Sequence, residues 1–398
     1  MLKLSKKMQE QLAGSSVIRQ LFEEGRKMAE LYGEDQVYDF SLGNPYPPAP
    51  PAVAAGIKDR LERLSSRELH GYMPNAGYPE VRQAIAASLH KRFGVSYTQE
   101  HILMTVGAAA ALNLLCACLL EPDDEVICFA PFFGEYRNYV RHQGATLVVA
   151  PARTKDLLPD IGALAGLVNE RTKMLWLNNP NNPSGIVYPK EVYQELAREV
   201  TRLEEQIGHE ILVVSDEPYR ELVYDGITVP YAAHYFPNSV ICYSFSKSLS
   251  LPGERIGYLA VSPTLTQAAE LVSALTVANR TLGFVNAPSL IQRVVTDCLE
   301  TAVDVTIYDY NRRLLYDRLT ELGFDCIKPQ GAFYLMIRSP LDDTAGFVAA
   351  AKRQHIVLVD TESFGAPGYV RLAYCVSSEV VKRSLPAFAR LAAEFFKA

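Results

Sequence analysis

The 398-residue sequence contains no Lys/Arg-rich run and carries a formal charge of −6, so the electrostatic footprint of a nucleic-acid binder or a protein drawn to anionic membranes is missing. It has no CxxC pair. Its seven cysteines, Cys116, Cys118, Cys128, Cys242, Cys298, Cys326 and Cys375, are odd in number and scattered, which predicts reduced, buried thiols in a cytoplasmic protein. The seven histidines show no HExxH or other ligand spacing, and neither GxGxxG nor GxxxxGK[ST] occurs, so metal, dinucleotide and nucleoside-triphosphate readings have no motif to rest on. No metal is expected. Internal repeats, low-complexity tracts and long polar linkers are absent, and the opening Met-Leu-Lys-Leu-Ser-Lys-Lys-Met lacks the apolar stretch of a signal peptide.

What is present is the composition of a folded protein: 48% hydrophobic, 21% charged, with Gly and Pro at 24 each, which leaves disorder and collagen-like structure unsupported. The length suggests two or three domains. Residues 102–120 carry no formal charge over 19 positions, but they hold Thr105, Gly107, Asn113 and five alanines, and divide better into a strand, ILMT, and a helix from Gly107 than into a bilayer span. Near the start, Ser15 or Ser16 is placed to cap a helix bearing Val17, Ile18, Leu21, Phe22, Met28 and Leu31 at roughly helical spacing. The prolines of SLGNPYPPAPP, residues 41–51, forbid helix and predict an extended crossing segment.

From residue 100 onward, short apolar runs alternate with helical stretches: ILMT (102–105), EVICFA (125–130), TLVVA (146–150), KMLWLN (173–178), ILVVS (211–215), SVICYS (239–244) and IGYLAV (256–261). The spacing of most leaves room for crossover helices, which predicts an α/β fold whose mostly parallel, seven-stranded sheet is covered on both faces. After about residue 290 comes a long helical stretch and then AFYLMIR and YVRLAYC amid helices, the texture of a smaller α+β domain. The N-terminal helix has no partner within the sheet domain and is assigned to the small one. The expected division is therefore 1–48 as an arm joining the small domain, 49–290 as the large domain and 291–398 as the small domain.

In an open parallel sheet, ligands sit beyond the carboxyl ends of the strands. Unusual residues collect there: Val106-Gly107-Ala108-Ala109 after the first strand, Pro131-Phe132-Phe133 after the second, Asn179 to Gly185 after KMLWLN, Asp216-Glu217-Pro218-Tyr219 after ILVVS, and Phe245-Ser246-Lys247 after SVICYS. An anion hole, an aromatic platform, an acid, a phenol, an amide and a lysine together suit a phosphorylated aromatic aldehyde with a basic nitrogen, which is pyridoxal 5′-phosphate. With LGNP (42–45), YMPNAGYPEVRQAI, NNPNNPSG, SDEPY, SFSKSLSLPGERIGY, PQGAFYL and GYVRLAY, the chain resembles the fold-type-I, pyridoxal-phosphate-dependent aminotransferases of class I/II, the aspartate-aminotransferase-like group, over nearly its whole length.

The resemblance implies a role for each position. Lys247 would condense with the cofactor aldehyde and, once displaced by a substrate amine, shuttle the proton. Asp216 would keep the pyridine nitrogen protonated so that the ring accepts electrons. Tyr219 and Asn182 would donate to the ring oxygen. Gly107, Ala108 and Ala109 would offer backbone N–H groups to the phosphate at a helix N-terminus, with Ser244 and Arg255 completing the cup and Ser246 nearby. Phe133 would stack on the ring where family members often carry Trp or Tyr. Arg371 would pair with the substrate α-carboxylate, with the Gly43 backbone and Asn182 beside it, and Tyr72 would reach the cofactor phosphate of a neighbouring subunit in a homodimer. Side-chain specificity would rest on Arg280, near where dicarboxylate-selective relatives hold a second arginine donated across the dimer, if acidic donors are used, or on Tyr46 and Phe284 if aromatic ones are.

Taken singly, these residues have plain explanations, a surface lysine or a turn-capping aspartate among them. Their joint order carries the reading: transamination of an L-amino acid with a 2-oxo acid, 2-oxoglutarate in such enzymes, by a ping-pong route. Two alternatives share the fold. One is β-elimination or related Cα-carbanion chemistry on the same cofactor; the other is a non-catalytic regulatory protein, for which no preceding DNA-binding domain is visible.

Overall fold

The computed structural model describes residues 2–13, 17–301 and 304–396. Its strands, in chain order, are β1 (Tyr38–Asp39), β2 (Ile102–Thr105), β3 (Glu125–Phe129), β4 (Thr146–Ala150), β5 (Thr172–Asn178), β6 (Leu212–Asp216), β7 (Ser239–Ser244), β8 (Gly257–Val261), β9 (Cys326–Ile327), β10 (Tyr334–Arg338), β11 (Ile356–Val357), β12 (Val359–Asp360) and β13 (Tyr369–Ala373). Each of the seven apolar runs read from the sequence becomes a strand of one sheet, in the order β2-β8-β7-β6-β5-β3-β4. Every residue of β2, β3, β7 and β8 is buried, as expected of strands covered on both faces.

Helices supply the cover. Pro79–Phe93 begins with Pro at N1 and stops at Gly94, whose φ of 70° closes the last turn. Lys190–Ile207 buries Val192, Leu196, Val200 and Leu203 along one stripe and ends at Gly208 in the same left-handed conformation. The uncharged segment 102–120 divides into β2 and the helix Ala108–Leu119. Among the described residues no helix is long and apolar enough to cross a membrane.

One strand runs against the rest. β8 is antiparallel to both neighbours, with Thr105 and Ser244 each opposite Gly257. Its amino end therefore lies level with the carboxyl ends of the parallel strands, and Arg255, two residues earlier, arrives at the edge where the candidate site residues collect. The strand order reverses around β3 and β5, the kind of point where ligands bind in such sheets.

The smaller antiparallel sheet has the order β12-β13-β10-β9. The helices Thr306–Glu321 and Ser378–Phe395 pack on it through Leu315, Leu319, Phe388 and Leu391, and β1 pairs with β11. Leu21, in the helix Val17–Tyr32, packs against Val357, Val359 and Phe364. The expected caps of that helix, Ser15 and Ser16, lie outside the described residues. The proline segment is non-helical through Pro50, but Pro51 opens the helix Pro51–Arg63. Proline is compatible with that position because its missing N–H belongs to the first turn, where the donor has no intrahelical partner.

Candidate active site

A cavity of about 530 Å³ lies where these strand ends meet, lined in part by Gly43, Ala108, Ala109, Phe133, Asn182, Asp216, Tyr219, Ser244, Lys247, Arg255 and Arg371. Each reaches it for a local reason. Asp216 is the last residue of β6, paired in register with Asn178 and Cys242, which fixes its side chain at the sheet edge. Lys247 follows β7 in the short helix Phe245–Ser248, begun by the Ser244 hydroxyl accepting from Ser246 N at 3.2 Å. Phe132 and Phe133 alternate sides: Phe132 is core, while Phe133 faces the cavity.

At one end of the cavity, Gly107 sits at φ 87° before the helix Ala108–Leu119, so the first N–H groups of that helix are directed at the opening. A Cβ at residue 107 would lie 2.9 Å from Arg255 Nη2, a backbone and approach that glycine satisfies. Arg255 is exposed at this rim and held by Pro252 O at 3.1 Å and Val106 O at 3.3 Å, while the Ser244 hydroxyl donates to Ser246 Oγ at 2.8 Å. N–H groups, hydroxyls and a guanidinium make a cup for an anion.

Asp216 forms the inner wall. Its Oδ2 accepts a hydrogen bond from the Tyr136 hydroxyl at 2.5 Å, while Oδ1 is buried without a partner. Burial pushes this carboxyl up to about 7, opposed by the Tyr136 bond. Lys247 Nζ donates to Gly43 O at 2.7 Å, and burial, with the charges of Arg255 and Arg371, brings its amine down to about 8. Asn182 Nδ2 reaches Tyr219 OH at 3.4 Å, and that phenol meets Tyr334 OH at 2.8 Å.

Arg371 closes the other end. It is 1% exposed, and its hydrogen bonds go to neutral acceptors, Asn182 Oδ1 at 3.2 Å and Ser41 O at 2.5 Å, leaving Nε unpartnered. The Tyr334 ring lies 4.6 Å below its guanidinium. A buried cation with neutral partners is poorly compensated, and an anion is what would compensate it. Position 43, on the same cavity, has room only for glycine, because a Cβ there would fall 2.2 Å from Tyr334 OH.

Four residues named from the sequence lie away from this chain's own cavity, which is where Tyr72 and Arg280 would be if they serve a neighbouring subunit. Tyr72 is 98% exposed, and Arg280, Tyr46 and Phe284 do not line the cavity of their own chain. Conversely, sequence reasoning passed over Tyr136, Asn178, Tyr334 and Glu135. Asn178 and Tyr334 had a signal, lying inside NNPNNPSG and PQGAFYL. Tyr136 and Glu135 had none, because the short helix Tyr136–Arg141 has no long periodic stretch to announce it.

The fold and the cavity define an enzyme of the aspartate-aminotransferase-like class. A solved amino transferase from Eubacterium rectale aligns at a TM-score of 0.96 with 42% identity over 100% of both chains. The aspartate aminotransferase from Thermus thermophilus with maleate aligns at 0.87 with 28% identity, covering 98% of this chain and 100% of that one. In sequence, an aspartate/prephenate aminotransferase of Thermus thermophilus is 33% identical over 355 residues, 84% of this chain and 86% of its own length. Residues 35–388 match the family model for aminotransferase class I and II. The chain belongs to that family, whose members are transferases acting on amino acids with pyridoxal 5′-phosphate.

Proposed function

We propose that this protein binds pyridoxal 5′-phosphate in the cavity and moves the amino group of an L-amino acid to a 2-oxo acid, 2-oxoglutarate foremost, in two alternating half-reactions. The observation that carries the reading is the meeting, in one cavity, of the Lys247 amine with a buried Asp216 oxygen that lacks a partner. The residues fit the cofactor: Oδ1 suits a ring N–H, the Gly107–Ala109 turn with Ser244 and Arg255 suits a phosphate, and Phe133 offers an apolar platform. When bound, pyridoxal phosphate supplies an aldehyde that condenses with amines and a protonated ring that takes up an electron pair.

The chain's own groups do the rest. Arg371, with Asn182 beside it, holds the donor's α-carboxylate through paired N–H donors. Lys247 Nζ, half neutral near pH 8 where an ordinary lysine would be charged, would take the proton from the donor's Cα and deliver it to the cofactor's former aldehyde carbon. Asp216 holds a proton on its ring partner. Tyr219 and Asn182 hold the ring oxygen.

Segments 1–48 and 291–398 are taken as one small domain and 49–290 as the cofactor domain, in keeping with the packing of Leu21 on β11 and β12. The working form is proposed as a homodimer, supported by the exposed Tyr72 ring and by Val277 and Leu282, which flank Arg280 and are 51% and 46% exposed. A cytoplasmic location accords with seven free cysteines. The named relatives make an acidic donor one choice, yet among the described residues no cation beyond Lys247, Arg255 and Arg371 lines this chain's cavity, so a distal carboxylate would need one from a second copy, with Arg280 the candidate.

Adding an L-amino acid to the loaded protein should convert the cofactor to its amine form with release of the matching oxo acid. Pyruvate and ammonia in its place would establish β-elimination. Arg371→Lys keeps the charge but loses the planar pair of donors, and is expected to lower kcat/KM for the donor by about 100-fold while leaving cofactor binding intact. Steady-state kinetics beside a cofactor titration checks both halves.

A further inference from the structure

The two oxygens of Asp216 are treated differently, and one side chain accounts for most of the difference. Oδ2 takes the 2.5 Å bond from Tyr136 and lies 3.5 Å from Asn178 Nδ2, whose better bond is to the Asp216 carbonyl at 2.9 Å. Oδ1 takes nothing. Tyr136 is itself 1% exposed and held edge-on by two rings, Phe133 at 5.7 Å and Trp176 at 4.9 Å, both at 87°. A phenol locked between aromatic edges has one place to direct its proton.

We propose that Tyr136 is the positioning residue of this site, anchoring Oδ2 so that Oδ1 faces the cavity as an ionised acceptor for the cofactor's ring N–H. The inference rests on the pyridoxal-phosphate reading above. Its physical basis is the contest inside the pocket. Burial drives the carboxyl toward its neutral form, and neighbouring Glu217 adds to that, although Glu217 is itself bonded to Arg220 and to the Ser215 hydroxyl. The other titratable groups felt by this pair are Tyr139 from the Tyr136 helix, Tyr219, Cys242 of β7 and Cys128 of β3, and burial raises each of them, so all stay neutral. Against burial stands the Tyr136 hydrogen bond, which lowers the carboxyl. The phenol does not ionise in competition, since burial and the adjacent carboxylate hold it well above its ordinary value. A neutral, fixed donor thus favours the charged form of its partner.

Tyr136→Phe removes the hydroxyl and keeps the ring between Phe133 and Trp176. Cofactor affinity of the stripped protein can be followed by the fluorescence of Trp176, the single tryptophan. At pH 7, Tyr136→Phe is expected to bind pyridoxal phosphate about 10- to 100-fold more weakly than the wild type. The pH below which affinity falls off is expected to move upward, because the carboxyl then protonates more readily. A cofactor analogue with carbon in place of the ring nitrogen makes no use of Oδ1, and both proteins should bind it alike; equal weakening toward both ligands would mean a merely structural role and overturn the proposal. Tyr136→His, which can keep an N–H donor, should lie between the two, and gives the same comparison should the Phe variant not fold. Wild-type affinity for pyridoxal phosphate in Tyr136→Phe from pH 6 to 9 would also overturn it. Failure of the wild type to bind the cofactor would instead remove the reading on which it stands.

Discussion

Replacing Lys247 by alanine is expected to leave a folded protein that still takes up pyridoxal phosphate but turns over at least about 10⁴-fold more slowly. The fold should survive because Lys247 contributes one hydrogen bond, to Gly43 O, and otherwise presents its amine to the cavity. Cofactor uptake should survive because the anion cup at Gly107, Ser244 and Arg255 and the acidic wall at Asp216 are untouched. Turnover should not, since among the described residues lining the cavity Lys247 offers the sole primary amine. Borohydride treatment followed by peptide mapping should attach the cofactor to the Lys247 peptide in the wild type and to no peptide in the variant. Steady-state turnover retained in Lys247→Ala would end the assignment.

Asp216→Asn should have two effects of opposite sign, which a purely structural aspartate would not produce. Activity is expected to fall by about 10²- to 10³-fold, because an amide cannot stabilise positive charge on the ring. Stability of the cofactor-free protein is expected to rise. The folded-state pKa, about 7, lies above the ordinary value of 3.8, so the group favours the folded protein fully below 3.8, and that contribution is lost as pH rises through 7. At about 1.4 kcal/mol per pH unit, this interval amounts to about 4 kcal/mol of penalty above pH 7. Asparagine carries no such penalty. Melting curves of the two stripped proteins should therefore show a larger advantage for the variant at pH 8 than at pH 5, and saturating cofactor should restore the wild type. A variant less stable than the wild type at pH 8 would contradict this account of the wall.

The strands of the main sheet were legible because runs such as EVICF and SVICYS are short, rich in β-branched residues and bounded by turn-forming residues, all of which are local properties. Their ends agreed to within a residue or two. Asp216, expected just past its strand, proved to be the last residue of β6, hydrogen-bonded into the sheet and thereby more rigid. The chemical set was legible for a related reason: lysine, aspartate and arginine stand at strand ends, where a parallel sheet gathers its ligands. The sequence left open which of Arg280, Tyr46 and Phe284 meets the donor side chain, since which side chains line a cavity wall depends on packing between segments far apart in sequence.

The sequence by itself determined the alternation of strands and helices and the residue types available for chemistry, because periodicity, turn residues and functional groups are written within a few positions of one another. Tertiary structure alone decided that β8 runs backwards and so delivers Arg255 to the anion cup, that Phe133 and not Phe132 faces the cavity, and that Arg371 is buried with no acidic partner among the described residues. It also decided which oxygen of Asp216 is spoken for by Tyr136, 80 residues away. The reason is that hydrogen-bond saturation and burial are set by neighbours in space, and no local pattern encodes who those neighbours are.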